Sequence, residues 1–211
     1  MVTAEQQASW ALAFGHKLQG LIDDLDAEWR EEVMTPWAFV DAMPEADARR
    51  LMPRLWSGRL RAAGGLPRLR RFADPLTRLC LLPRGDLLHR LCTIALARRP
   101  GVLRCCIDRS VRAPLQRALG DSFDALAAMS RSGKPVDAAT ANWSPVVWAC
   151  VGFADWSAQL APEDDAVRQI VQLSMPRTLL ADVLAQPDVP ADRGVTESLA
   201  ALADAGVNWP C

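Results

Sequence analysis

Apolar residues recur along most of this chain at three- and four-residue steps, the spacing of one face of an α-helix. No window alternates convincingly with period two. The first such face is Trp10, Phe14, Leu18, Leu21, Ile22, Leu25 and Trp29, which predicts one long N-terminal amphipathic helix. Thr3 and Gln6 fit a capping box at its start. Asp23, Asp24, Asp26 and Glu28 fall between the apolar positions and make its outer side acidic. Thr35-Pro36 reads as N-cap and first residue of a short helix carrying Trp37. Pro44 and Pro53 divide the next stretch into short pieces.

Gly64-Gly65 and Pro67 mark a loop between arginine-rich segments. Pro83-Arg84-Gly85-Asp86 reads as a turn, with Asp86 the N-cap of a helix over Leu87–Arg99. That helix confines its polar side to His89, Arg90, Thr93 and Ala97, the pattern of a central buried helix. After Pro100-Gly101, one side of the next helix carries Leu103, Cys106, Ile107, Val111, Leu115 and Leu119. Arg104, Asp108 and Arg112 form a charge ladder on another side. Pro114 kinks this helix, Gly120 closes it and Asp121 caps its successor. Ser132-Gly133-Lys134-Pro135 is a break, followed by helical patterns over Pro145–Leu160, Glu163–Ser174, Pro176–Gln186 and Thr196–Ala205. Pro187–Pro190 reads as a loop. The pattern predicts an all-α fold, a single compact multi-helix domain over 1–211, helical over at least about 55% of its length. It allows an N-terminal sub-region, 1–64, packed on a core of 65–211.

Charge changes this picture more than composition does. Residues 49–117 hold seventeen arginines against Asp74, Asp86 and Asp108, a balance of 17 − 3 = +14. Residues 1–48 come to −8 and residues 118–211 to −7, so the blocks sum to the overall −1. Such cancellation predicts that the acidic ends neutralise much of the basic middle within the fold. The remainder, read here as Arg68, Arg70 and Arg71 beside the Gly64-Gly65 loop, then forms a basic patch for a partner. Arginine exceeds lysine 22 to 2, which reads either as selection for a bidentate, stacking cation or as coding bias. Eight Trp, five Phe and no Tyr remove phenolic acid–base chemistry. Most of the tryptophans read as core; Trp209, near the C-terminus, reads equally well as an interface anchor.

No catalytic or metal constellation emerges. There is no C-x-x-C, no H-x-x-x-H, no P-loop and no G-x-S-x-G. Cys105 and Cys106 are adjacent, a poor bite for one zinc, and Cys106 falls on an apolar face. His89 reads as a hydrogen-bonded, half-buried residue. Glu163-Asp164-Asp165 opens a helix, where acids complement the dipole. No site residue is assigned to catalysis, cofactor or metal, and no enzyme is expected. A basic helical module for nucleic acid and a redox protein using Cys105 or Cys106 are the alternatives. The N-terminus lacks a basic stretch followed by an apolar one, and the longest apolar run, Val146–Ala154, is short for a membrane span, so the expectation is a soluble cytoplasmic protein.

The run LLHRLCTIALARRPGVLRCCIDRSVRAPLQRALGDSF, Leu87–Phe123, resembles the SctK family of type III secretion accessory proteins, the YscK/PscK and Hrp-type homologues. The resemblance lies in an apolar helix, then Leu103-Arg104, Ile107-Asp108-Arg109, and an ending of Leu115, Leu119 and Gly120. It implies a non-catalytic adaptor in the cytoplasmic sorting platform, without cofactor or small-molecule substrate. The implied partners are the SctD-type inner-membrane ring protein and the SctQ-type pod protein, with no nucleic acid.

Overall fold

The computed structural model describes residues 2–186 and 189–207. The chain is all-α, with about 75% of its residues helical and no strand among the described residues. In order the α-helices are α1 Ala4–Gly20, α2 Ala27–Met34, α3 Glu45–Ala62, α4 Pro75–Arg78, α5 Arg84–Arg98, α6 Gly101–Cys105 and α7 Arg109–Leu119. They continue as α8 Ser122–Met129, α9 Ala138–Ala141, α10 Pro145–Ser157, α11 Asp165–Gln172, α12 Arg177–Ala185 and α13 Val195–Asp204. Short 3-10 turns join several of them. Two compact units emerge, Met1–Leu87 with Leu160–Thr178, and Leu88–Gln159 with Leu179–Cys211. The sub-region 1–64 read from the sequence lies inside the first unit, which runs on to Leu87.

In the first unit, Thr3 caps α1 as expected: Gln6 N–H donates to Thr3 Oγ1 at 3.2 Å, and Thr3 N–H donates to Gln6 Oε1 at 2.9 Å. The helix does not reach Trp29, however, but stops at Gly20. Two aspartates of the following turn explain the break. Asp24 Oδ1 accepts the backbone N–H of Arg84 at 2.8 Å, and Asp26 Oδ1 accepts that of Glu28 at 3.1 Å. Short acidic side chains compete with a continuing helix and favour caps. Leu21 and Leu25 remain buried nonetheless. Asp86 is not the cap of α5: the helix starts at Arg84, and its cap is the distant Asp24. Nor is Thr35 an N-cap; its hydroxyl donates back to the Glu31 carbonyl at 2.6 Å, and the chain continues as a 3-10 turn.

Pro53 sits inside α3 without ending it. A mid-helix proline costs about 3 kcal/mol. Burial of Met52, Trp56 and Leu60 on one face outweighs this, at about 1.5–3 kcal/mol for each side chain. The loop after α3 forms where expected, and Gly64 and Gly65 take φ of 140° and 110°, open to glycine alone. The returning segment brings Val167, Ile170 and Val171 into this core. It is tied to α2 by Asp26 N–H to the Leu173 carbonyl at 2.9 Å and Trp29 Nε1–H to the Met175 carbonyl at 3.0 Å.

In the second unit, Leu91–Ala97 is fully buried, as the narrow polar stripe predicted. α10 crosses this stretch at Gly152, where a Cβ would overlap the Leu91 carbonyl. Gly101 and Gly133 make a second backbone-to-backbone approach. The helix expected to run through Leu103 and Val111 is two helices. The chain leaves helical geometry at Cys106, and Asp108 caps α7 by accepting the Ser110 N–H at 2.8 Å. Ile107 is therefore not on a buried side but is 85% exposed. Neither does the Arg104/Asp108/Arg112 ladder form. Arg104 donates to the Gly133 carbonyl at 2.9 Å, and Arg112 donates to the Leu103 carbonyl at 3.0 Å and lies over the Phe123 ring. Gly120 closes α7 with φ 49°, but the Asp121 side chain caps nothing. The Pro187–Pro190 loop lies partly outside the described residues.

Candidate functional site

The basic block divides into arginines held inside and arginines left on the surface. In the first unit, Arg71 grips Asp164 through two points, Nε to Oδ1 at 3.0 Å and Nη2 to Oδ2. The Asp164 side chain is 1% exposed. Its hydrogen bond raises the Arg71 pKa above the ordinary arginine value, against the opposing effect of desolvation. Nearby, Lys17 is buried between Asp24 Oδ2 and the Leu82 carbonyl, 2.5 and 2.6 Å away. Arg84 bridges Asp26 Oδ2 at 2.5 Å and the Ser174 carbonyl at 2.9 Å. Lys17 with Asp24 and Arg84 with Asp26 are thus two ion pairs joined by the Arg84 backbone N–H, which Asp24 accepts.

The second unit has its own hub. Asp155 receives Arg99 through both oxygens, at 2.5 and 3.1 Å, and also Arg98. Two cations on one carboxylate leave a positive excess. Carbonyl oxygens offset it: Val189 accepts from Arg99 at 2.9 and 3.0 Å, and Arg193 accepts from Arg98 at 3.0 Å.

Neutralisation within the fold falls on particular arginines. Of the seventeen between 49 and 117, at least five pair with a carboxylate among the described residues: Arg49, Arg71, Arg84, Arg98 and Arg99. Their partners do come from the acidic ends: Glu45 and Asp26, Asp155 and Asp164. The expected surface trio splits. Arg68 and Arg70 are exposed, but Arg71 is half-buried and committed to Asp164. Trp209 lies outside the described residues. The sequence reading passed over Arg50, Arg54 and Arg61, three exposed arginines of α3 whose spacing already placed them on one helix face.

Three of the thiols are muted by burial. Burial pushes the thiols of Cys80 and Cys92 up to about 12. Burial also raises Cys106, although Arg112 pulls the other way. Such thiols stay protonated at neutral pH and are poor nucleophiles. His89 is half-buried with Nε2 3.4 Å from Ser122 Oγ, at the edge of an open cavity of about 520 Å³. The acids Glu163 to Asp165, read as dipole partners, include the buried anchor Asp164. Among the described residues no group of three or more His, Cys, Asp or Glu is arranged to hold a metal. No described helix is long and apolar enough to cross a membrane.

The arrangement combines buried ion pairs with exposed arginines of α3, Arg50, Arg54 and Arg61, that form no ion pair among the described residues. No curated protein and no solved structure matches the chain. The model of the HrpB4 family, bacterial type III secretion protein, matches residues 1–205. The match spans both units and includes the Leu87–Phe123 run, so this chain belongs to the HrpB4 family of bacterial type III secretion proteins.

Proposed function

We propose that this protein is a non-enzymatic adaptor of a type III secretion sorting platform. It bridges the SctD-type inner-membrane ring protein and the SctQ-type pod protein at the cytoplasmic face of the inner membrane. The observation that carries the reading is the family match over residues 1–205. The buried ion pairs support it: Lys17, Arg71, Arg84 and Arg99 are each held by a carboxylate. That pattern fits a rigid scaffold whose outward charges select partners.

Affinity capture of the full chain from a secretion-competent bacterium tests this. Recovery of the ring and pod components supports the adaptor. Recovery of RNA or DNA instead, with steep loss as salt rises, supports a nucleic-acid module. Full secretion after Cys105→Ser and Cys106→Ser removes the redox alternative.

A further inference from the structure

The arginines of α3 differ in what holds them. Arg49 pairs with Glu45 one turn earlier, and Arg59 is half-buried. Arg50, Arg54 and Arg61 are exposed and form no ion pair among the described residues. Their spacing places them in one stripe, with Arg50 and Arg61 roughly 16 Å apart along the axis. The opposite face carries Met52, Trp56 and Leu60 into the core, so the stripe is fixed outward. An ordinary solvated helix face interleaves both signs. Here no acidic residue occurs between Asp47 and Asp74, and exposed Arg68 and Arg70 prolong the basic run.

We infer that the Arg50, Arg54 and Arg61 stripe is a docking surface for an acidic helix of a protein partner, one that presents carboxylates at matching steps. The inference rests on the adaptor reading and specifies the chemistry of one contact. Guanidinium groups take carboxylates through two parallel hydrogen bonds, so spacing as well as charge selects the partner. A phosphate backbone fits less well. It carries a charge every ~1.7 Å of duplex axis and extends beyond any short stripe. Exposed Asp47, three residues before Arg50 and on the same side of α3, opposes such an extended polyanion. A carboxylate ladder of three turns that starts opposite Arg50 ends before reaching it.

The test compares the full-length protein with the triple variants R50E/R54E/R61E and R50K/R54K/R61K, after circular dichroism shows that both retain the wild-type helical spectrum. Three probes are used: a helical peptide with glutamates at i, i+4 and i+11, a peptide of equal charge with the glutamates on different faces, and single-stranded DNA. The inference expects the matched peptide to bind wild type about tenfold more tightly than the Glu variant and more tightly than the unmatched peptide, with the Lys variant in between. Equal binding of the matched peptide by wild type and the Glu variant overturns it. So does DNA binding through the same three residues that equals or exceeds the peptide's. Purified ring and pod components are measured in parallel. Failure of wild type to bind either one counts against the adaptor reading, while the peptide comparison decides the stripe independently.

Discussion

Arg71 and Asp164 lie 93 residues apart in sequence and close a two-point ion pair in the first unit. The pair ties the 3-10 turn after the Gly64-Gly65 loop to the start of the returning segment. Its asymmetry sets the consequence of mutation. The Arg71 side chain is 31% exposed and that of Asp164 only 1%, so loss of Arg71 strands a buried carboxylate. Arg71→Ala is expected to cost about 3 kcal/mol in urea unfolding. The double variant Arg71→Met with Asp164→Leu should recover most of this, because two apolar partners leave no unpaired charge. A double variant as unstable as the single would show that the pair does more than neutralise itself.

Asp24 is expected to matter more than an exposed turn residue. It holds Lys17, whose side chain is 3% exposed, and it caps α5 at Arg84. Asp24→Asn keeps an oxygen for the cap but leaves the ammonium with the Leu82 carbonyl alone. A loss of about 3 kcal/mol is expected, partly restored by adding Lys17→Met. Chemical denaturation of the wild type and these two variants measures it.

The glycines separate by what surrounds them. Gly152→Ala should destabilise by about 2–4 kcal/mol, since the new Cβ overlaps the backbone of Leu91 and neither helix can yield cheaply. Gly58→Ala, in α3 with open space around it, should stabilise by about 0.5–1 kcal/mol through helix propensity. Thermal melts of the two variants, shifted in opposite directions, test the assignment.

Much of the fold was legible in the sequence, because helical periodicity and local caps are local physics. The capping box at Thr3, the buried stretch within Leu87–Arg99 and the Gly64-Gly65 loop all follow from neighbours in sequence. Three of the errors share a cause: a distant partner changed a residue's role. Asp24 ends one helix by capping another sixty residues away. Asp164, read as a dipole acid, serves Arg71, and Arg71, read as surface, serves Asp164. Asp108 differs, because its choice is local: it caps its own helix at Ser110 and does not pair with the arginines one turn either way. In the candidate surface, Arg68 and Arg70 were placed correctly as exposed residues. The α3 stripe was missed because the expected breaks at Pro44 and Pro53 hid its continuity.

The buried thiols set an alkaline limit on stability. Cys80 and Cys92 ionise only near pH 12 in the fold, against an ordinary value of 9.0. A raised folded pKa gives stability that is complete below the unfolded value and is lost as pH climbs through the folded one. The loss therefore runs from about pH 9 to about 12, with a slope of about 1.4 kcal/mol per pH unit for each thiol. Replacing both with alanine should flatten this slope in unfolding titrations, whatever it does to stability at neutral pH. Iodoacetamide at neutral pH should label half-exposed Cys105 well before Cys80 or Cys92, as read by peptide mass spectrometry.

The adaptor reading is tested most directly by reconstitution. The full chain, the cytoplasmic domain of the ring protein and the pod protein are purified from one secretion system and mixed singly, in pairs and together. Light scattering after size exclusion then gives the mass of each complex. A three-component complex that forms only when this protein is present is the predicted result. Ring and pod proteins that assemble equally well without it, or a chain that joins neither, would contradict the reading.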